Sequence, residues 1–488
     1  MPLTGPNAGP AGAVGEGGAG AFPAAVGMLA AMPRRESGPP EPPGRTHGDR
    51  CPGALRLHAA DDGALARVRL PGGLLTAEQA AALGRLAERF GDGHLDLTSR
   101  GNVQLRGLDA GCGDAVAQRL RRRGLLPSER HDRIRNVAAS PLCGLDSVSG
   151  PGADAAVPVD VQAWTRELDG LLCADDADGA PADLTALSGR FLFGLDDGRG
   201  DIVALRPDVT LIASGPGQAD LCFGAAGPGL RIAAADAPRA AALAAAEFLA
   251  AVRASGGAAW RVRDLPPALR PTADGRAVRL ADAGIASVPR PRPYLPLGRP
   301  AEPGVVYGPD GRCALSVTAP LGRLTVAQWR RVVRMSAKQG ADGEIRVTPW
   351  RGLVVPGFPA EDGPELLSWL EDEGFVTSPG SAWHRAGACA GRPGCAKSHA
   401  DVRADAAACL MSPEAAAGLP VYWSGCERRC GHPGGDAWVD VLATPDGYEV
   451  AVREAASDGT GPERVRRADL DLLPGAVAAA RSTATLTP

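Results

Sequence analysis

The chain has 488 residues, 52 Lys and Arg against 56 Asp and Glu for a net charge of −4, and only 4% aromatic residues. This near-balanced charge excludes the basic face of a nucleic-acid binder, and no apolar run is long enough for a membrane span; the best one, "AAALAAAEFLAAV" at 240–252, is interrupted by Glu247 and reads as a helix with a buried face. The length suits roughly two to four domains, and no charged segment followed by an apolar one opens the chain, so a cytoplasmic location is the expectation.

Residues 1–50 are rich in Gly, Pro and Ala, without an apolar period, and are read as a disordered tail. Next comes an internal repeat. "ARVRLPGGLLTAEQAAALGRLAERFGDGHLDLTSRGNVQLRGL" (66–108) overlays "LSVTAPLGRLTVAQWRRVVRMSAKQGADGEIRVTPWRGLVVPGF" (315–358), with Thr76 on Thr325, Gln79 on Gln328 and, after a one-residue shift, Thr98 on Thr348. Each copy reads as an alternating strand, a "GxLT" turn, an amphipathic helix and two short strands. In the first helix Leu83, Leu86 and Phe90 share a face, with Glu88 and Arg89 turned outward. A further helix follows each copy, at 114–124 and 364–374.

A longer segment follows each small module. The first holds strand-like "RFLFGLDD" and "VTLIAS" and the helix near 238–253; the second ends in a hairpin, "AWVDVLATPDGYEVAV", that turns at Pro445–Gly447. The predicted organisation is a small half-domain at 51–128, a larger module at 129–290, a Pro-rich linker at 291–309, a second half-domain at 310–378, a second larger module at 379–475 and a tail at 476–488. The fold class is therefore α+β and duplicated: two small ferredoxin-like α/β sandwich modules alternate with two larger α+β modules, in pseudo-twofold relation.

Eleven cysteines are present, and most stand alone in the manner of small core residues. Four come in pairs, Cys389 and Cys395 in "CAGRPGC" and Cys426 and Cys430 in "CERRC". The spacings fit zinc knuckles poorly and lack the C-x2-C of a thioredoxin-like centre. Four soft ligands on Gly- and Pro-containing loops suit a [4Fe–4S] cluster, with zinc and unrelated core cysteines as the alternatives. Gly391, Gly394, Gly425 and Gly431 are expected to let the backbone approach the sulfides closely.

C-x5-C followed by C-x3-C, in a duplicated α+β chain, resembles the sulfite and nitrite reductase superfamily. The resemblance implies that Cys389, Cys395, Cys426 and Cys430 hold a [4Fe–4S] cluster, with Cys430 the bridge to sirohaem iron where sirohaem is present. "LDLTSRGNVQLRGL" (95–108) is similar to the strand-turn-strand whose arginine lies over the tetrapyrrole, here Arg100, and "RIRNVAASPLCGLD" (133–146) to the following Arg-Asn motif, here Arg135. "LSGRFLFGLDDG" (187–198) resembles the segment that gives two basic residues to the anionic substrate; this chain has Arg190 and Leu192 there. A second departure is Glu-Arg-Arg between the last cysteines, where the reductases commonly place Pro-Asn. Together "CPGALRLHAADDGALARVRLPGG" (51–73), "ASPLCGLD" and the "GHP" after Cys430 resemble the precorrin-3B synthase branch of the superfamily.

That branch implies an oxygen-dependent hydroxylation of precorrin-3A at C20 with γ-lactone formation, in aerobic cobalamin biosynthesis. The implied cofactor is the [4Fe–4S] cluster, and NADH is the indirect electron source. A polycarboxylate macrocycle calls for fixed cations, and arginine's planar fork suits carboxylates. The candidates are Arg100, Arg135 and Arg190, then Arg428 and Arg429, with Asn102, Gln104 and Asn136 orienting the ligand or stabilising turns. Arg351, in the second copy's strand pair, is open to a structural or a functional role. His399, His432 and Lys397 near the cysteine loops read as loop residues rather than ligands. Activating dioxygen needs a reduced metal or another one-electron donor, so a non-haem iron is a further candidate, although no histidine pair offers its usual ligands. No catalytic residue is assigned. No G-x-G-x-x-G follows a strand and opens a helix, so electrons are expected from a separate reductase. Partners are therefore precorrin-3A, dioxygen and that reductase, with no nucleic acid and no membrane. The alternative readings are a sirohaem-dependent sulfite or nitrite reductase and a zinc-stabilised binding protein.

Overall fold

Strict alternation along the first copy's strands separates an apolar face from a polar one. Ala66, Val68, Leu95, Leu97, Val103 and Leu105 are buried in one continuous core, while Arg67, Arg69, Asp96, Gln104 and Arg106 occupy the intervening positions. The computed structural model describes residues 52–146, 160–174, 184–257, 259–295, 298, 300–339, 343–433, 437–453 and 465–482. Both the tail read at 1–50 and Cys51 lie outside the described residues.

The first half-domain sheet runs His58–Ala60, Gly63–Val68, Val103–Leu108, His94–Leu97, and then Arg323–Thr325 from the second copy. The second runs Gly304–Tyr307, Arg312–Thr318, Gly352–Pro359, Glu344–Val347, and then Leu74–Thr76 from the first copy. The "GxLT" segments read as turns are thus short strands exchanged between the copies. Each strand ends at a helix cap. Thr76 and Gln79 form a capping box, and Gln328 N–H donates to Thr325 Oγ1 at 3.2 Å in the second copy. Gln79 and Gln328 each also reach back, to the carbonyls of Arg123 and Glu373, and so fasten the helix that ends each module.

The helices Ala77–Phe90 and Val326–Gln339 pack on one another, with Trp329 fully buried and its Nε1 donating to Ala80 O at 2.7 Å. Gly84 makes the approach feasible, since a Cβ there would stand 3.0 Å from Trp329 Cδ1.

The two larger modules repeat a common sheet. In the first, Val137–Ala139, Phe193–Asp196 and Val209–Gly215 are parallel, and Gln218–Phe223, Gly229–Ala233 and Ser287–Arg290 continue antiparallel. In the second, Ala386–Ala388, Val421–Ser424 and Trp438–Thr444 are parallel, and Gly447–Arg453 and Val465–Ala468 continue antiparallel. The hairpin at Pro445–Gly447 is therefore present. Helix Ala237–Ala254 covers the first sheet, and its Glu247 is buried against Arg276 at 3.0 Å. Among the described residues, no helix is long and apolar enough to cross a membrane.

Two boundaries shift from the sequence reading. Gly304–Tyr307, inside the segment read as linker, pairs with Arg312–Thr318 and opens the second half-domain. Helix Leu473–Ser482 carries the second large module into the segment read as a tail. Its buried Arg481 donates to the carbonyls of Leu419, Ala382 and His384.

Candidate cofactor and substrate site

Parallel strands bring the distant cysteine pairs together. Ala386–Ala388 and Val421–Ser424 run side by side, so Cys389 and Cys426 leave the same edge of the sheet. Cys389 N–H donates to Trp423 O at 3.0 Å, and Gly425 N–H points at Cys389 Sγ at 3.2 Å. Burial raises the pKa of the Cys430 thiol; Cys389, Cys426 and Cys395 raise it further while Arg428 opposes them, so all four sulfurs lie within electrostatic reach.

Four soft thiol donors, with the Gly425 N–H on Cys389 Sγ, fit the ligand set of a [4Fe–4S] cluster.

The glycines of the cysteine loops are tightly packed. A Cβ on Gly425 would sit 1.9 Å from Ser398 Oγ, and one on Gly394 would sit 2.9 Å from Asp62 Oδ2. Gly391 and Gly431 have φ of 65° and 87°, a region that disfavours side chains.

Both half-domains grip the cysteine loops, a feature the sequence reading missed. Arg106, paired with Asp62 through two contacts of 2.8 Å, donates to Gly394 O at 3.0 Å. Asp61 accepts from Ala396 N–H at 2.5 Å. Arg403 donates to Cys389 O at 3.1 Å and to Asp96 at 2.8 Å. From the second half-domain, Arg351 donates to Gly431 O at 2.6 Å; within the cysteine module itself, the buried Tyr422 donates its hydroxyl to Cys430 O at 2.6 Å. The available signal was the polar alternation of the first sheet. Of the counterparts in the second copy, Ser316, Thr318, Val354 and Pro356 carry no arginine, while Arg346, opposite Asp96 in the overlay, donates to the carbonyls of Pro141 and Cys143.

The residues predicted to meet a ligand divide into two groups. Arg100 Nη1 and the buried Arg69 Nη2 both donate to Gly189 O, at 3.2 and 3.3 Å. Next to Gly189, the exposed Arg190 lies over the Trp260 ring, 4.0 Å from its centroid. Arg100 and Arg190 therefore flank one segment, with Arg190 open to solvent. The other group is engaged internally. Arg135 is buried and forks onto Asp169 at 2.7 and 2.8 Å, with a third bond to Leu125 O. Burial works against its charge, yet the Asp169 hydrogen bond and charge raise its pKa above the ordinary arginine value. Asn102 accepts from Leu70 N–H and donates to Asn136 Oδ1, which also accepts from Arg69. Asn136 in turn donates to Phe191 O, and Gln104 accepts from Arg67. The amides of Asn102, Gln104 and Asn136 thus brace the frame beneath Arg100.

Arg429 pairs with the buried Asp440 at 2.7 Å, and Arg428 is exposed beside Cys430. His432 stacks on Trp438, and His399 and Lys397 are exposed. The first large module carries a different closure where the second carries cysteines. Its equivalent loops are joined by Arg199, which pairs with Asp146 and Asp197 at 3.0 and 2.7 Å, and by Ser140 Oγ donating to Asp201 at 2.6 Å. Asp196, Asp197 and Asp201 are the one three-member carboxylate, histidine or cysteine group of ion-binding size among the described residues. Asp196 already accepts backbone N–H bonds from Gly198, Gly200, Ile202 and Val203. No histidine joins that group, so it does not supply the ligand set of a non-haem iron oxygenase.

Leu192 is buried with Ala138 and Ile202, and Trp350 packs against them. The place where a second cation was looked for is an apolar cluster.

The model of the nitrite/sulfite reductase ferredoxin-like half domain matches residues 58–123 and 308–372, the two strand-exchanged modules. Over those two modules the chain is similar to the nitrite and sulfite reductases. It is 24% identical over 399 residues to the ferredoxin–nitrite reductase of Synechococcus elongatus, covering 76% of this chain and 74% of that protein. Against a precorrin-3B synthase from Sinorhizobium it is 27% identical over 418 residues, covering 83% of each. The structure of the Mycobacterium tuberculosis NirA protein shares the fold, with a TM-score of 0.61 and 21% identity over 84% of this chain and 79% of that one. The relatives that span most of this chain are enzymes, which supports an enzyme here as well.

Proposed function

We propose that this chain is a precorrin-3B synthase, hydroxylating precorrin-3A at C20 with dioxygen and closing a γ-lactone. The observation that carries the reading is Leu192, buried against Ala138 and Ile202 where the reductases of the superfamily set a cation for their anionic substrate. The ion pair of Arg135 with Asp169 takes a second positive charge out of play. A site stripped of cations stabilises a small multiply reduced anion poorly. A carboxylate-bearing macrocycle needs peripheral forks instead, and Arg100 and Arg190 are suited to that task.

Cys389, Cys395, Cys426 and Cys430 would hold the [4Fe–4S] cluster, which supplies single electrons toward dioxygen. The chain's own residues bind and orient. Arg100, with Nη1 on Gly189 O, is the fork proposed to meet a carboxylate of the ring. Arg190, steadied on Trp260, offers a second fork from the same segment. The apolar cluster of Leu192, Ile202 and Trp350 excludes water. In the overall reaction one oxygen atom enters the macrocycle, and the other leaves as water with two electrons and two protons. A separate reductase drawing on NADH supplies the electrons. The test is to incubate the purified protein with precorrin-3A, reductant and isotopically labelled dioxygen. The product gains one labelled oxygen atom by mass spectrometry. Reduction of nitrite or sulfite by the same preparation, with precorrin-3A unchanged, sinks the reading.

A further inference from the structure

We propose that Arg351 is a positioning residue for the fourth cysteine, fixing the Cys430–Gly431 loop through the Gly431 carbonyl and raising the reduction potential of the cluster held there. The inference rests on reading the four cysteines as cluster ligands.

The first observation is conformational. Arg351 has a φ of 60°, and Gly101, its counterpart in the first copy, has 68°. The turns are otherwise alike. Gly101 N–H donates to Thr98 O as Arg351 N–H does to Thr348 O, and Thr98 N–H donates to Asn102 O as Thr348 N–H does to Gly352 O. Glycine satisfies this turn without strain, whereas a side chain there costs about 1–2 kcal/mol. The turn itself therefore does not account for the arginine.

The second observation is the path of the side chain. Its stem crosses Gly322, where a Cβ would stand 2.4 Å from Arg351 Cδ. The guanidinium lies over the Tyr422 ring, 5.4 Å from its centroid, and Nη1 passes 3.6 Å from the Cβ position of Gly387. It ends with Nη2 on Gly431 O at 2.6 Å. The neighbouring carbonyl, Cys430 O, takes the Tyr422 hydroxyl at the same distance. Two consecutive carbonyls are thus held by two donors stacked on each other, and Gly431, at φ 87°, leaves room for the Tyr422 hydroxyl.

The third observation is which cysteine this loop carries. Of the four, Cys430 is the exposed one, and its loop is the one most in need of an external brace. A fixed cation and hydrogen bonds near a cluster favour its reduced, more negative state and raise its potential.

The discriminating variant is Arg351→Gly, which removes the donor and installs the residue the first copy already uses. It folds at least as stably as wild type, because the strained φ is relieved. Its cluster has a lower midpoint potential by EPR-monitored titration and bleaches about tenfold faster under a chelator, the factor expected for one lost hydrogen bond near a charge. Arg351→Lys keeps the charge and returns the potential toward wild type. A glycine variant with the wild-type potential and bleaching rate overturns the proposal, as does a lysine variant no different from the glycine one. Wild-type protein without sulfide would instead fail the cluster reading itself, so the two failures are distinguishable.

Discussion

Replacing Cys395 with serine abolishes the iron–sulfur absorption and removes acid-labile sulfide, while Cys173→Ser leaves both at wild-type levels. The contrast follows from the geometry. Cys395 lies on a loop tied down on both sides, by Arg106 on Gly394 O and by Asp61 on Ala396 N–H. Serine's hard oxygen is a poor substitute for a thiolate on iron. Cys173 closes the helix Val161–Cys173 beside Arg135, and burial pushes its thiol up to about 11, so it stays protonated at neutral pH. Equal loss of sulfide in both variants would undo the ligand assignment. The measurement is iron and sulfide content per chain after anaerobic purification.

The second large effect separates the frame from the site. Arg135→Ala destabilises the fold by about 3 kcal/mol, since it strips three hydrogen bonds and leaves the half-buried Asp169 charge uncompensated. Arg100→Ala removes the bond to Gly189 O at 3.2 Å and costs about 1 kcal/mol in stability. Its consequence is in binding: affinity for the tetrapyrrole falls about tenfold or more with the loss of a charged fork. Denaturant unfolding reads the first and a spectroscopic titration with precorrin-3A reads the second. Wild-type stability in Arg135→Ala, or wild-type affinity in Arg100→Ala, contradicts the assignment of roles.

Much of the architecture was legible because repetition amplifies weak signals. Thr76 and Thr325 with Gln79 and Gln328 mark the same cap twice, and the cap geometry is present in both copies. The exchange of Leu74–Thr76 and Arg323–Thr325 between sheets was not legible, since a three-residue strand next to a helix cap looks like a turn until its partner is known. The cysteine pairs were legible through their spacing. Their convergence depends on the parallel pairing of Ala386–Ala388 with Val421–Ser424, a contact across more than thirty residues that no local pattern encodes. The motif arginines were legible as positions but not as roles. Arg100 and Arg135 look equivalent in sequence, and the Asp169 that claims Arg135 sits on the later helix Val161–Cys173. Arg106, Arg403 and Tyr422 escaped notice because each reaches a cysteine-loop carbonyl far away in sequence or across a loop, a contact that side-chain patterns do not encode.

The central claim is that the four cysteines carry an iron–sulfur cluster serving a metal-free tetrapyrrole. Anaerobically purified protein, assayed together for iron, zinc, acid-labile sulfide and extractable tetrapyrrole, tests it most directly. The account predicts about four iron and four sulfide per chain, with no zinc and no sirohaem. Extractable sirohaem in proportion to protein would contradict the metal-free substrate site, and zinc without sulfide would contradict the redox centre altogether.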